Sequence, residues 1–248
     1  MARNHLTLAA ACLLAVAAPA HAQADDTGLI VGAAVEKKFN KLTSVEVDAE
    51  YRSRNDFRTT DRLSLGLTGE RKLTPWLKAD VGYQLLIDNN QQKISLHDDG
   101  TYNNWRPSYW GTRHRWFASL NATVKWRRVS FSLRERYRYT YRPQTTATRY
   151  DFDNGWWESA TVRSKHRHVL RSRFKVQWNI PKCKFTPWAT CELFSSTSFD
   201  KIRLQAGVDY DLAKRHAFGL SYRYQHVFND EEDEPNAHHL AVSYKFKF

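Results

Sequence analysis

Residues 202–212 read IRLQAGVDYDL, and apolar side chains alternate there with polar or small ones. The even positions carry Ile, Leu, Ala, Val, Tyr and Leu, whereas the odd positions carry Arg, Gln, Gly, Asp and Asp. Successive side chains of a β-strand point to opposite faces of the sheet. This period of two therefore predicts a strand with one apolar and one polar face.

The same alternation recurs along most of the chain. Further stretches lie at residues 45–52, 62–68, 77–87, 115–126, 170–178, 218–225 and 240–248. The longest ones, at residues 77–87, 115–126 and 202–212, run for 11 or 12 residues. This is longer than the usual globular strand and long enough to cross a bilayer when tilted. The sequence thus predicts an all-β fold of long antiparallel strands.

The connections between these stretches alternate in length. Short ones are predicted near residues 40–41, 74–75, 127–128, 186–187 and 213–214, and longer ones at 89–112, 142–165 and 229–237. Short turns on one rim and long loops on the other are typical of a transmembrane β-barrel of the outer-membrane type. This architecture is our predicted fold class.

The predicted number of strands is about 10–12. Ten strands are expected after Leu42, and a further candidate lies at residues 29–39. Bacterial single-chain barrels normally have an even number of strands, so 12 is favoured over 10. Residues 23–31 would then pass through the lumen or add a partial strand. In a wall of 10 strands, the first hairpin would lie partly outside.

The first 22 residues have the pattern of a cleaved signal peptide. Arg3 precedes an apolar run at residues 6–18, and Ala20 and Ala22 provide the small side chains of a cleavage site before Gln23. We predict a signal peptide at 1–22 and a barrel domain at 23–248. After residue 22 no apolar run approaches the length of about 20 residues that a spanning helix needs, which excludes a helical membrane protein.

The formal net charge of +12 suits polyanionic partners. For an exported chain we expect these to be outer-membrane lipid and lipopolysaccharide, and no nucleic acid. The chain ends with Tyr244, Phe246 and Phe248 in alternation, which resembles the assembly signal of bacterial outer-membrane barrels. The barrel-assembly machinery and periplasmic chaperones are therefore expected partners, and the bacterial outer membrane is the expected location.

Four tryptophans lie beside predicted short turns, at Trp76, Trp126, Trp178 and Trp188. Indole prefers the boundary between hydrocarbon and water. The common position predicts an aromatic girdle at one rim of the barrel.

Four segments of the chain have distinctive sequences: EKKFNKL at 36–42 leading into EYR at 50–52, RERYRY at 134–139, the stretch 187–194, and RLQAGVDY at 203–210. Together they resemble one family of bacterial outer-membrane barrels, the domain of unknown function 2490. The resemblance covers most of the chain after residue 22 and implies a fold and a location, without catalytic residues. The loops 89–112 and 142–165 go beyond what it leads us to expect.

The inward faces of the predicted strands carry an uneven distribution of charge. An acidic wall is expected from Glu36, Glu46, Asp48 and Glu50. A basic wall is expected from Arg115, Lys125, Arg134, Arg136, Arg138, Arg171, Arg173 and Lys175. Such walls favour a narrow or plugged porin-like channel. A structural or ligand-binding barrel without conductance is the alternative, since small barrels fill their interior with side chains.

The sequence favours a protein that is not an enzyme. It has neither a G-x-S-x-G nor an H-E-x-x-H motif, so no catalytic residue, metal site or cofactor is indicated. An outer-membrane lipid hydrolase is the other alternative, with the outward Ser172 and a histidine as candidates. Loop residues offer a third function, in which aromatic rings stack on sugars and arginines bind phosphates. The candidates are Trp105, Tyr109, Trp110, Trp156, Trp157, Arg106, Arg113 and Arg163.

Two further residue-level expectations concern cysteine and glutamate. Cys183 and Cys191 flank residues 184–188 and would face each other across a hairpin, where a disulfide is geometrically allowed; two free thiols are the alternative. Glu135 shares the apolar face of its strand, where a carboxylate in lipid would be costly. We expect a nearby bulge to turn it inward, or the strand to lie above the hydrocarbon there.

Overall fold

The computed structural model describes residues 25–213, 215–229 and 234–248. The predicted signal peptide lies outside these residues. In the described chain no helix could span a membrane. The strands are β1 (Asp26–Lys38), β2 (Thr43–Arg54), β3 (Thr59–Lys72), β4 (Leu77–Asn90), β5 (Lys93–Leu96), β6 (Tyr102–Arg106), β7 (Tyr109–Trp126), β8 (Val129–Arg142), β9 (Thr145–Asp151), β10 (Trp156–Val162), β11 (Lys165–Trp178), β12 (Phe185–Ser195), β13 (Phe199–Ala213), β14 (His216–Val227) and β15 (Ala237–Lys247).

Eleven of these strands close into one barrel, in the order β1-β15-β14-β13-β12-β11-β8-β7-β4-β3-β2. The predicted all-β barrel is confirmed. Ten barrel strands follow Leu42, as expected, and β1 is the eleventh. The number lies within the predicted range of 10–12 and is one fewer than the favoured 12. The preference for an even number of strands gave the wrong choice.

β1 is a complete strand of the wall. It pairs with β2 antiparallel from Ile30 to Lys38 and with β15 in parallel from Asp26 to Glu36. An odd number of alternating strands brings the first and last strands together in the same direction, which explains the parallel pair. The expectations that residues 23–31 pass through the lumen or add a partial strand are therefore wrong for the described residues 26–31. The first hairpin does not lie outside the wall either, because both of its strands are paired within the barrel.

The outward face of the barrel is apolar and exposed. Leu65, Leu67, Val81 and Val124 are each more than half exposed, although they lie within long strands. On β7, Trp116 and Trp126 are both exposed and ten residues apart. At the usual rise and tilt this separation spans about 25 Å, the height of the apolar band of outer-membrane barrels.

Aromatic side chains border this band on both sides. At the rim of short turns, Trp76, Trp126 and Trp178 are exposed, as the predicted girdle requires. Toward the other rim, outward tyrosines hydrogen-bond histidines of neighbouring strands: Tyr83 with His114 at 2.7 Å, Tyr137 with His168 at 2.6 Å, and Tyr139 with His166 at 2.6 Å. Such rings suit the boundary between hydrocarbon and water.

Trp188 does not belong to the girdle. The turn between β11 and β12 lies at residues 179–184, earlier than the predicted turn at 186–187. Trp188 is therefore inside β12, and its ring lies 4.7 Å from the Lys175 ammonium. Both Glu192 and Phe194, which share its side of the strand, are buried in the lumen.

The shift of this turn also removes the expected disulfide. Cys183 and Cys191 are free thiols, the first exposed and the second half-buried. Cys183 lies in the turn, whereas Cys191 lies six residues after the first residue of β12. Six strand residues span about 20 Å. This is far beyond the separation of about 7 Å that a disulfide bridges.

The two long loops form a second sheet outside the barrel. It has the order β10-β9-β6-β5, and we call it the loop sheet. The two loops pair through Asn104 with Asp151 and Trp105 with Tyr150. The His97 ring and the Asp153 carboxylate join the two hairpin tips at 3.1 Å. Residues 89–112 and 142–165 thus contain strands that the sequence pattern did not reveal.

Candidate functional site

The barrel encloses a charged lumen. The acidic wall comes from Glu36 on β1 and from β2, while β7, β8 and β11 contribute the basic wall. All four predicted acidic residues line one cavity of about 560 Å³ near the short turns, which we call the lower cavity. Of the basic residues, Arg134, Arg136 and Arg173 line it as well. The structure thus brings both walls to one space.

The remaining predicted basic residues lie elsewhere along the strands. Lys125 is exposed at the short-turn rim, and Lys175 lies over the ring of Trp188. Arg115 donates a hydrogen bond to the Thr140 hydroxyl at 3.2 Å. Arg138 and Arg171 lie in the middle of the lumen. The basic wall is therefore a series of separate local environments.

The middle of the lumen is filled by a cluster that we call the plug layer, made of Arg138, Arg171, Glu192, Phe194, Lys201 and Arg203. Phe194 has no exposed surface. The three arginines and Lys201 of the layer surround its ring, with their charged groups 4.9 to 5.2 Å from the ring centroid. This is close enough for cation–π attraction. Arg171 donates a hydrogen bond to Glu192, and Arg203 lies 3.5 Å from the same carboxylate.

The plug layer includes residues that the sequence analysis missed. Glu192 and Phe194 both lie on β12, where Pro187 indicated a turn. In the structure Pro187 pairs with Val208 inside the sheet. Side chains alternate along a strand, so Glu192 and Phe194 lie on the face opposite to Cys191 and Leu193. This alternation would have placed Glu192 and Phe194 on the inward face.

A second ionic network lies toward the long loops. Arg62 donates a hydrogen bond to Asp88. The Asp88 carboxylate also forms an ion pair with Arg113, whose Nε atom lies 3.0 Å away. Glu234, from the connection before β15, contacts Lys201 and lies 3.9 Å from Arg62. Burial alone would raise the pKa of Glu234, but these two cations hold it well below its usual value. Arg62, Asp88, Arg113 and Glu234 also line a cavity of about 110 Å³, the upper cavity.

The chain is similar to known proteins both in sequence and in architecture. The sequence model of a family described as "Protein of unknown function (DUF2490)" matches residues 28–236, which is most of the chain. The chain belongs to the DUF2490 family. No curated protein matches the sequence.

Two solved structures are similar to this DUF2490 barrel. One is the β domain of the Bordetella autotransporter BrkA, with a TM-score of 0.52 and 16% identity, covering 74% of this chain and 75% of that one. The other is the NanC porin, with a TM-score of 0.46 and 12% identity, covering 86% of this chain and 93% of that one. At such low identity, the likeness to the autotransporter domain shows the fold, that of an outer-membrane barrel.

Glu135 of the DUF2490 chain lies on the outward face, so the expected bulge is wrong. Within the described strands, β8 pairs with β7 and β11 without a shift in register, and Glu135 is opposite Leu120 and Ser172. Leu120 is four residues from Trp116 and six from Trp126, so Glu135 lies within the apolar band. The alternative of a strand above the hydrocarbon is wrong for the same reason. Ser172 donates a hydrogen bond to Glu135 at 2.6 Å.

The candidate hydrolase residues are not arranged as a nucleophile and base. The Ser172 hydroxyl donates a hydrogen bond to Glu135, and His168 Nδ1 is hydrogen-bonded to the Tyr137 hydroxyl. His168 lies four residues from Ser172 along β11, which corresponds to about 13 Å between the two backbones. Within the described part of the DUF2490 chain, no three His, Cys, Asp or Glu side chains group as metal ligands.

The loop aromatics of the DUF2490 barrel fall into separate groups. Trp105, Tyr150 and Trp157 share one face of the loop sheet, with ring centroids 5.3 Å apart for Tyr150 and Trp157 and 5.5 Å for the two tryptophans. Trp156 and Trp110 are exposed away from this row. Three other candidates line the upper cavity: Arg106, Tyr109 and Arg113. The Arg163 carbonyl accepts a hydrogen bond from Arg142.

Proposed function

We propose that this protein is a narrow channel of the bacterial outer membrane that is closed at rest by the plug layer and passes small anions or zwitterions. One observation carries the proposal: the lower and upper cavities share no lining residue among those described, and the plug layer lies between them. A barrel built only for stability would fill its interior with side chains. The unfilled, charge-lined lower cavity favours a solute path.

The charge of the plug layer supports a preference for anions. Arg171 and Arg203 share one carboxylate, that of Glu192, while Lys201 pairs with Glu234 of the second network. An excess of fixed positive charge at a constriction attracts anions and repels cations. Opening requires the Phe194 ring to move, because the ring fills the centre of this cluster.

The test is single-channel conductance of the purified protein in planar bilayers. We expect small, chloride-selective currents from the natural protein and several-fold larger ones from Phe194→Ala, because the truncated side chain leaves the constriction open. Phe174→Ala is the matched control, since Phe174 is exposed on the outward face of neighbouring β11. A Phe194→Ala barrel that folds and stays electrically silent would overturn the channel proposal.

We further propose that the barrel resides in the outer membrane, contacts lipid and lipopolysaccharide through its apolar band, and is inserted by the barrel-assembly machinery. The exposed band of about 25 Å between aromatic borders supports this location. Cell fractionation and electrophoresis with and without heating test it. A folded monomer that stays in solution without detergent would contradict it.

We also propose that the protein has no catalytic activity and needs no cofactor. The engagement of Ser172 with Glu135 supports the absence of lipid hydrolysis. A phospholipase assay on detergent-solubilised protein should give no turnover above that of Ser172→Ala. Turnover that Ser172→Ala abolishes would replace this proposal with the hydrolase alternative.

The loop sheet supports a second candidate function, capture of glycans at the cell surface. The row Trp105, Tyr150 and Trp157 offers stacked rings of the kind that pack on sugar faces, and Trp157 is about half exposed. Lipopolysaccharide should quench tryptophan fluorescence less in Trp157→Ala than in the control Trp156→Ala. Equal quenching in the two variants would exclude this row as the binding surface.

A further inference from the structure

Two arginines of the lower cavity have no anionic partner among the residues that the structure describes. Arg134 on β8 and Arg173 on β11 lie directly opposite each other and both line the cavity. Among the described residues, neither guanidinium makes a hydrogen bond or an ion pair, and the Nε atom of each is buried without a hydrogen-bond partner. Like charges on directly opposed strand positions repel each other, so this pair needs a counter-ion.

The nearest carboxylates are already engaged by other arginines. Asp80 receives hydrogen bonds from Arg136 at 2.8 Å and from the Ser119 hydroxyl at 2.7 Å. Glu192, opposite Arg173 on β12, accepts from Arg171 and pairs with Arg203. The protein therefore neutralises the arginines beside the pair and leaves Arg134 and Arg173 available to a ligand.

The opposite wall of the same cavity has an acidic counterpart. Asp48 makes no hydrogen bond or ion pair with a described residue, although Glu46 is held by Lys245 and Glu50 by Arg52. Asp48 is directly opposite Gly66 in the β2–β3 pair. A Cβ atom at Gly66 would lie 2.3 Å from Asp48 Oδ1, so the glycine leaves the room that this carboxylate occupies.

We propose that the lower cavity binds a zwitterionic solute, with its carboxylate or phosphate on Arg134 and Arg173 and its ammonium group on Asp48. Guanidinium groups bind such oxyanions in bidentate fashion, which gives both affinity and geometry. The cavity of about 560 Å³ has the size of a small-molecule site. The role of this binding site in solute passage rests on the channel proposed above. Binding itself is measurable without conductance.

Calorimetry with the purified barrel in detergent tests the site. The probes are 4-aminobutyrate, butyrate and inorganic phosphate, because the first two differ by the ammonium group alone. We expect 4-aminobutyrate to bind more tightly than butyrate. The double variant Arg134→Gln, Arg173→Gln should weaken all three by about 10-fold or more, as expected for loss of charged hydrogen bonds. Arg128→Gln, in an exposed turn, is the matched control.

Two further variants separate the parts of the proposal. Asp48→Asn should weaken 4-aminobutyrate and leave butyrate and phosphate unchanged. Arg134→Lys keeps the charge and removes the bidentate geometry, so it should retain part of the affinity and serves if the double variant does not fold. Unaltered phosphate affinity in a folded double variant would overturn the arginine site. Unaltered 4-aminobutyrate affinity in Asp48→Asn would overturn the zwitterion assignment. Binding by a barrel that never conducts would reject the channel and retain the site.

Discussion

At the scale of single residues, a glycine determines how the basic wall is arranged. Gly82 is opposite Phe117, and a Cβ atom at Gly82 would lie 2.3 Å from the end of that ring. The ring can therefore lie against the wall, and the Arg136 guanidinium stacks on it at 3.9 Å while reaching Asp80. Arg136 is thereby fixed and neutralised, in contrast to Arg134.

We expect Gly82→Ala to destabilise the barrel by about 1–3 kcal/mol, because the added methyl group overlaps the Phe117 ring. Gly69→Ala is the control, since the nearest atom to an added Cβ there is 4.0 Å away. Urea unfolding in lipid vesicles, followed by tryptophan fluorescence, measures the difference. Equal midpoints for the two variants would contradict the packing of Phe117 against Gly82.

Removing the charge of Glu135 should stabilise the protein. Its carboxylate faces the apolar band, with the Ser172 hydroxyl as a hydrogen-bond donor. Glu135→Gln keeps an acceptor for Ser172 and removes the charge, so we expect stability in vesicles to rise by about 1 kcal/mol. Glu158→Gln, which breaks a pair with Arg149 in the loop sheet, should leave barrel stability unchanged. A loss of stability in Glu135→Gln would indicate that the charge has a partner in the membrane.

At the scale of elements, the barrel strands follow from alternation, whereas the loop sheet does not. Long strands such as β13 repeat the pattern often enough to identify it. β5 has four residues and β6 has five, too few for a period of two to stand out from loop sequence. The pairing of β6 with the second loop joins residues that are 45 and 47 positions apart in the chain, which local pattern does not reveal.

The turns of the loop sheet should respond to acid. Asp99 accepts two hydrogen bonds from Thr101, and Asp151 accepts from Asn154 and from the Asp153 amide. These bonds lower the pKa of both carboxyl groups below the usual value. Because the folded-state pKa lies below the unfolded pKa of about 3.9, the ionised carboxylates stabilise the folded turns at pH values above about 3.9. This stabilisation is lost as the pH falls through the lower folded-state pKa.

Hydrogen exchange of the 153–155 amides, corrected for the intrinsic rate, measures this effect. We expect their protection to decline as the pH falls below about 4, the ordinary aspartate pKa, and to be lost as the pH passes the lower folded-state pKa of Asp151. Asp151→Asn removes the titrating group, so its protection at these amides should be independent of pH over the same interval. Protection that falls equally in both proteins would assign the acid response to another group.

At the scale of the whole molecule, the lumen depends on closure of the wall by β1. Lys245 on β15 lies 2.8 Å from Glu36 on β1 and also pairs with Glu46 on β2, so charges of three strands meet at the seam. The sequence predicted both walls but not this closure, because alternation identifies strands and says nothing about which strands pair. The assembly of the plug layer could not be predicted for the same reason, since it brings together inward residues of β8, β11, β12 and β13.

The parallel seam leads to the most direct test of the fold, an engineered disulfide between Gly32→Cys and Ser243→Cys. The two positions are paired in register, and a Cβ atom at Gly32 would lie 4.0 Å from that of Ser243. This separation suits a disulfide, so oxidation should link them in nearly all folded molecules and alter migration on denaturing gels. The variant is made with Cys183→Ser and Cys191→Ser to leave no other thiol after residue 22. The control pairs Gly32→Cys with Ser221→Cys on β14, which is two strands away and two residues out of line, hence more than about 10 Å distant, and should stay reduced. If the control is linked as readily as the test pair, or if neither is linked, β1 does not close the barrel beside β15.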